Sequence, residues 1–308
     1  MEQRTLAFVG QEIYFAPCAL DPGVAGFDTT FIDFRAGDDP EKILVALDAA
    51  APDVAFFFKP EVVPAALLQR RSFVSVGWAT EPLPSLSPDE HLDLNSRRSA
   101  LSRLDPANFD RLIAYTPGIV ASLEEIMTVW RCVPLPVGDR YYRTPRRIYG
   151  RPRVIFIGRS TDHRESLLID AKHRYDLTHI AHGVGPVELE RIADSYHVGI
   201  NLHNEAYPNF ENRVTIHMAA GHLVLSEPLT PTMGLEPGID FLQVQSSVEM
   251  MRRLAELMQS PDIYHRVRVR GREKAELFRA SRVYPALVAD LERDVAVFGA
   301  ERPLARPH

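Results

Sequence analysis

Arg159 and Arg164 follow the apolar run Val154-Ile155-Phe156-Ile157 and its closing glycine, Gly158. A four-residue run of this kind reads as a buried parallel strand, and ligands of open α/β sheets sit beyond the carboxyl ends of such strands. A helix expected to begin near Glu165 would aim its free N–H groups at the same place. Two guanidiniums beside a helix start suit a diphosphate, because each can donate paired hydrogen bonds to phosphate oxygens. The same spacing also fits two solvated surface arginines.

The elements that would position these groups follow in order. His197 to His203 (HVGINLH) reads as a strand and Arg213 to Ala220 (RVTIHMAA) as a helix, with Gly221 as the left-handed residue that ends it. Leu223 to Pro228 is another apolar run with a polar end, and Gly234 to Gly238 makes a turn before a last strand at Ile239 to Val244. Helices are expected at Val248 to Gln259, Asp262 to Phe278 and Tyr284 to Phe298, the second with a basic series from Arg266 to Lys274 read as a solvated surface. The loop His182-Gly183-Val184-Gly185-Pro186 lacks the third glycine of a dinucleotide fingerprint, so a nicotinamide site is not expected.

The segment NRVTIHMAAGHLVLSEPLTPTMGLEPGIDFLQVQSSVEM runs through Asn-x-Arg, small residues, a glycine, a strand and Pro-Gly. In that pattern it resembles the C-terminal domain of group 1 glycosyltransferases, especially the CgeB-like spore-maturation branch. Gly158-Arg159 with the later Arg164 is similar to the Arg and Lys pair that holds the donor diphosphate in that group. The resemblance spans Arg153 to Ala280, and covers the N-terminal half only in layout. It implies an α/β protein of two Rossmann-like domains with a cleft between them, the GT-B architecture. The implied reaction moves a hexosyl or related sugar from a nucleotide diphosphate donor to an unidentified acceptor hydroxyl, with no metal and no cofactor. A nucleotide-sugar epimerase of the same architecture is one alternative. A degenerate protein that binds nucleotide or a partner without turnover is the other.

One departure bears on the chemistry. Many retaining members carry two glutamates flanking seven residues, and the matching positions here are Pro208 and Ile216. Glu205 and Glu211 lie nearby and could meet sugar or ribose hydroxyls, although they match no position of that motif. His203, at the end of its strand, is the further candidate on the donor side, for a structural hydrogen bond or for catalysis. The donor-side set is therefore Gly158, Arg159, Arg164, His203, Glu205, Glu211 and Arg213.

The first half repeats the alternation of strands and helices. Leu6 to Val9, Thr30 to Phe34, Val54 to Phe58, Phe73 to Val76 and Leu112 to Tyr115 are candidate strands, and Asp39-Pro40-Glu41 opens a helix with Ile43, Leu44 and Leu47 on one face. This pattern implies a mostly parallel sheet covered on both faces. Glu81 leaves the fourth of these strands at its carboxyl end, where it could take the proton of the acceptor hydroxyl or orient the acceptor. A loop glutamate capping a turn is the plainer possibility.

Prolines and glycines interrupt both periodicities between Val133 and Pro152. The expected division is an acceptor-side domain at 1–133, a linker at 134–152, a nucleotide-sugar-binding domain at 153–280 and a final helix at 281–308 that returns to the first domain. The linker also concentrates arginine, which reads either as ordinary surface charge or as an anion-attracting wall.

Composition bounds the partners. A chain of 308 residues, 45% hydrophobic and 25% charged, can bury two cores, and its net charge of −6 argues against a general nucleic-acid-binding role. Cys18 and Cys132 form no CxxC spacing, so neither a disulfide framework nor a zinc site is expected. His179 and His182 are three apart on a strand end and point to opposite faces, which makes a poor metal pair. No apolar run approaches the ~18 residues of a spanning helix. The expected location is the cytoplasm, with peripheral membrane contact left open.

Overall fold

The computed structural model describes residues 4–69, 71–81, 83, 92–204 and 208–299. The chain divides into two compact units, one built from residues up to Leu135 together with those from Ala280 onward, the other from Pro136–Arg279.

The first unit holds a parallel sheet of β1 (Arg4–Gly10), β2 (Phe27–Asp33), β3 (Val54–Phe58), β4 (Val74–Ala79), β5 (Arg111–Ala114) and β6 (Arg131–Cys132), in the order β2-β1-β3-β4-β5-β6. β3 is the unbroken run VAFFF and is buried along its whole length, as a strand covered on both faces must be. Its helices are α1 (Glu12–Phe15), α2 (Pro40–Ala50), α3 (Leu92–Leu101) and α4 (Val120–Glu124). Asp39 caps α2 by accepting from the Glu41 N–H, Pro40 occupies the first turn, and Ile43 and Leu47, one turn apart, are its buried residues. β6 is absent from the sequence reading because two exposed residues carry no periodicity.

The second unit holds β7 (Val154–Ile157), β8 (Leu177–Ile180), β9 (Val198–Asn201), β10 (Leu223–Ser226) and β11 (Leu242–Gln243), all parallel, in the order β11-β10-β9-β7-β8. Its helices are α5 (Asp162–Arg174), α6 (Pro186–Ser195), α7 (Asn212–Ala219), α8 (Ser247–Gln259) and α9 (His265–Lys274). The strand order turns at β7, which has β8 on one side and β9 on the other. α5 begins at Asp162 rather than near Glu165, because the Thr161 hydroxyl caps it by accepting from the Arg164 N–H. α9 is not simply a solvated surface. Arg268 is 5% exposed and donates to the Gly221 and Arg146 carbonyls, while a Cβ at Gly271 would lie 2.4 Å from the Asp240 carbonyl oxygen.

α10 (Ala280–Phe298) packs with the first unit. Tyr284 is fully buried, donates its hydroxyl to the Cys18 carbonyl and meets the rings of Phe8, Phe56 and Trp78. Among the described residues no helix is long and apolar enough to cross a membrane.

A histidine pair is enclosed in the second unit. Nδ1 of His217 on α7 faces Nδ1 of His222 at 3.1 Å, and a Cβ on Gly199 of β9 would come within 2.2 Å of the His217 ring. Burial, then the neighbouring histidine and Arg213, hold His217 well below the ordinary range. Burial pushes His222 down to about 3, with Arg268 and His197 adding to it against the hydrogen bonds to Ala193 and Ile192.

Gly199→Ala should cost about 1–3 kcal/mol or more through overpacking, read as a lower urea midpoint. Each depressed histidine takes up a proton on unfolding between its folded value and about 6.5, so stability falls as pH drops through that window by up to ~1.4 kcal/mol per pH unit for each. Between pH 6.5 and about 5, above the carboxylate range, a urea midpoint that does not move would contradict the neutral pair.

Candidate functional site

β7, β9 and β10 all end at one edge of the second unit's sheet, and the candidate side chains are carried by the loops that leave them and by the first turns of α5 and α7. β7 ends at Gly158, whose φ of +154 favours glycine and whose absent Cβ would meet Arg164 Nη1 and the Phe156 ring, both at 3.2 Å. The space that a side chain would take at Gly158 is thus filled by the guanidinium of Arg164.

Arg164 is 4% exposed, and its donors are committed to the backbone. Nε reaches the carbonyls of Leu202 and His203 at 3.1 Å, Nη2 that of Leu202 at 2.9 Å, and Nη1 that of Arg159 at 3.0 Å. Those carbonyls belong to the loops after β7 and β9, where the strand order turns. Burial pushes Arg164 down to about 10, with Arg213 and Arg159 adding to it against Glu211. It is therefore neither a solvated surface arginine nor, as it stands, a free fork for phosphate.

Arg213, one residue into α7, approaches the same carbonyl, with Nη1 at 3.2 Å from Leu202 O. Both guanidiniums lie over Phe156, at 5.4 and 5.2 Å from the ring centroid. Glu211 faces both and offsets part of their charge. Its Oε2 accepts from Arg213 Nη2, and its Oε1 lies 3.7 Å from Arg164 Nη2 and 3.8 Å from His203 Nδ1. Burial raises the Glu211 carboxyl, but Arg213, His203 and Arg164 outweigh it and hold the group at about 2.

His203 is 2% exposed and directs Nε2 to the Pro228 carbonyl at 2.8 Å, while its buried Nδ1 faces Glu211 Oε1 at 3.8 Å. Burial pushes it down, but Glu211, Pro228 and Glu227 together raise it overall. Arg159 is exposed, and its Nε donates to Asn204 Oδ1 at 2.9 Å. Gly158, Arg159, Arg164, His203, Glu211 and Arg213 are thus brought to one edge, whereas Glu205 lies outside the described residues.

Sequence reasoning missed Glu227. It follows β10, is 8% exposed, accepts from the His203 N–H at 2.6 Å and holds His163 Nε2 of α5 at 2.8 Å. The signal was present as the polar end of the run LVLSEP. Asn204 was missed as well, although it ties the two loops by accepting from Arg159 and from the Thr161 hydroxyl.

In the first unit, Glu81 has both oxygens engaged, by Lys59 Nζ at 2.8 Å and by Arg97 Nε at 3.3 Å. To take a proton it must release one of these cations, so its setting is that of an anchored anion rather than an open base. Lys59 has φ +59, a left-handed conformation costing a non-glycine residue roughly 1–2 kcal/mol, and its N–H extends the ladder to the Trp78 carbonyl at 3.1 Å. Pro60 then packs where a Cβ on Gly77 would stand 3.0 Å away, which turns Glu61 inward. Glu61 is 6% exposed and lines a water-sized hollow with Thr80, Glu81 and Arg97. Burial pushes the Glu61 carboxyl up, against its own backbone N–H and Lys59. The segment Lys59-Pro60-Glu61 follows its strand at a rim position equivalent to that of Glu81 in the sequence, but its pattern gives no sign that Glu61 is buried. Among the described residues no three His, Cys, Asp or Glu side chains come together to hold a metal.

Solved structures match the chain along nearly its whole length. Sucrose-phosphate synthase from Thermosynechococcus elongatus is 11% identical, with 96% of this chain and 99% of that one covered at a TM-score of 0.58. Anabaena HepE in complex with UDP-glucose is 11% identical over 94% and 99%, at a TM-score of 0.59. AviGT4, a glycosyltransferase involved in avilamycin A biosynthesis, is 13% identical over 96% and 98%, at 0.57. The fold is the GT-B fold. Its two Rossmann-like domains correspond to the six- and five-stranded sheets described above. No protein-family model and no curated protein matches the chain.

The arginines of this edge should behave differently on substitution. Arg164→Ala removes the donor to the buried His203 carbonyl, leaves that of Leu202 to Arg213 alone, and should cost about 2–4 kcal/mol in chemical denaturation. Arg159→Ala should stay within about 0.5 kcal/mol, as an exposed residue does. Equal stabilities for the two variants would show that Arg164 does not hold the loops.

Proposed function

We propose that the protein is a glycosyltransferase that moves a hexosyl or related sugar from a nucleotide diphosphate donor to an acceptor hydroxyl. One observation carries this reading: in a GT-B fold, the edge where the second sheet divides gathers Gly158, the start of α5, and the guanidiniums of Arg159, Arg164 and Arg213. Ligands of open parallel sheets bind at such an edge, and a helix start beside the exposed guanidinium of Arg159 suits a diphosphate. HepE, of the same fold, is known in complex with UDP-glucose. Within this fold we favour the CgeB-like branch, on the pattern from Asn212 to Gly238.

In the proposed reaction the bond between the anomeric carbon and the diphosphate oxygen breaks, a bond from that carbon to the acceptor oxygen forms, and the acceptor proton passes to a base. Charge accumulates on the leaving diphosphate. Arg159 and the first N–H groups of α5 meet it, so that cationic side chains and backbone dipoles take the part that a metal plays elsewhere. Arg164 keeps the loops in register beneath them. Glu211, held ionised, is a hydrogen-bond acceptor for sugar or ribose hydroxyls, with Glu205 and His203 as the further donor-side residues. On the acceptor side Glu81 orients, and Glu61, the carboxyl that burial pushes up, is the better proton acceptor. Two free cysteines are compatible with the cytoplasm as its location.

A second reading, nucleotide binding without turnover, is favoured by Pro208 and Ile216 standing where a glutamate pair occurs in many retaining enzymes. Calorimetry with UDP, together with a panel of nucleotide sugars followed for consumption, separates the readings. Binding without consumption supports the second, and an isomeric nucleotide sugar formed without acceptor would mark an epimerase. Absence of any nucleotide diphosphate binding would refute the proposal.

Arg159→Ala should weaken UDP binding by roughly 1.5–3 kcal/mol, the scale of a charge-assisted hydrogen bond. Glu61→Gln should lower turnover of the donor by roughly 10²–10⁴ with UDP affinity unchanged. If Glu81→Gln produces that loss and Glu61→Gln does not, Glu81 is the base.

A further inference from the structure

The arginine-rich segment before β7 lies at the amino end of that strand, at the edge of the second sheet opposite Gly158. It takes no part in the site described above. Its backbone is nevertheless firmly held. Ile148 is 5% exposed and donates its N–H to Asp262 Oδ1 at 3.0 Å, the Arg146 carbonyl accepts from Arg268 Nη1 at 2.9 Å, and Pro152 is buried. Gly150, at φ +88, makes the turn between these anchors.

What the segment projects is cationic and apolar together. Tyr149 is 90% exposed, and Arg146, Arg147, Arg151 and Arg153 around it are all exposed. The Asp262 contact brings in the neighbouring residues, where Ile263 is 51% exposed and Arg266 is exposed too. Arg153 lies over the Tyr196 ring at 4.6 Å. Among the described residues, Arg147, Arg151 and Arg266 have no carboxylate within ion-pair distance, whereas Arg143 is paired with Asp194 at 2.5 Å and Arg146 also lowers that carboxyl. A chain with a net charge of −6 thus presents a held arginine-rich segment, its charge largely unpaired, together with two outward apolar side chains.

We propose that this patch, Arg146, Arg147, Tyr149, Arg151, Ile263 and Arg266, docks the protein on an anionic lipid surface. Arginines at headgroup level meet lipid phosphates, and the Tyr149 ring and Ile263, on segments joined by the Asp262 contact, enter the region between headgroups and acyl chains. A nucleic acid would satisfy the arginines and stack on Tyr149, but offers nothing to Ile263. An anionic bilayer uses every member of the patch. Each arginine near such a surface contributes roughly 5-fold in partitioning, and the attraction is screened over a Debye length of about 10 Å at moderate salt.

Co-sedimentation of the full chain with vesicles tests this. Binding is expected to vesicles of phosphatidylcholine mixed with phosphatidylglycerol, weakly or not at all to phosphatidylcholine alone, and is expected to fall at high salt. Arg147→Glu with Arg151→Glu should reduce it by more than 10-fold, and Tyr149→Ser by several-fold, while Lys42→Glu with Arg191→Glu, the same charge change on other exposed surfaces, should leave most of it. UDP affinity serves as the check that each variant is folded, and keeps the outcome separate from that of the donor site. Equal sedimentation of the patch variants and the wild type would overturn the proposal. So would equal binding to neutral vesicles, or binding of single-stranded RNA without vesicle binding.

Discussion

One buried guanidinium sets the geometry of the second unit's carboxyl edge. Arg164 sits where β7 and β9 part company, and a parallel sheet that divides at such a point leaves the carbonyls of both departing loops without ladder partners. A planar fork with several N–H groups can serve the loops after both strands at once, which a lysine ammonium on its flexible stem cannot do with the same geometry. Gly158 is the counterpart of that arrangement, because any Cβ there would stand against the guanidinium. The loop that follows, its exposed Arg159 and the capped start of α5 all take their positions from this bond set.

Placing a second guanidinium next to the first needs compensation. Arg213 shares the Leu202 carbonyl and the Phe156 ring with Arg164, and Glu211 is held ionised between them and His203. Glu227 then links His203 to His163 on α5, so the loops after β9 and β10 are tied to the helix after β7. Charge here is largely used to build the edge. Arg159 is the member of the set that remains on the surface.

The first unit solves a different problem at its own carboxyl edge. Its core is aromatic, with Phe8, Phe56, Phe58 and Trp78 on adjacent strands and Tyr284 of α10 closing the cluster. Gly77 admits Pro60 beside β4, the left-handed Lys59 makes the turn, and two carboxyls end close together with opposite settings, Glu81 between two cations and Glu61 buried. In a pair so divided one carboxyl is tied to cations, and burial pushes the pKa of the other up.

The alternation of apolar runs and helical patterns was enough to read two parallel α/β sheets, and the Gly158 turn and the Asn-x-Arg pattern pointed to the edge proposed as the site. Those features are local: a buried strand needs an apolar run, a helix end needs a glycine, and both are written in consecutive residues. Which arginine is buried is not local. Arg159 and Arg164 are the same residue type on the same loop and helix start, and only the meeting of β7 with β9, forty residues on, gives Arg164 carbonyls to hold and leaves Arg159 outside. The same holds for Glu227, Glu61 and the arginines before β7. Burial and pairing depend on what the rest of the chain packs against each group, so residue type and spacing identify the candidates, and the tertiary structure decides which are spent on the fold and which remain exposed.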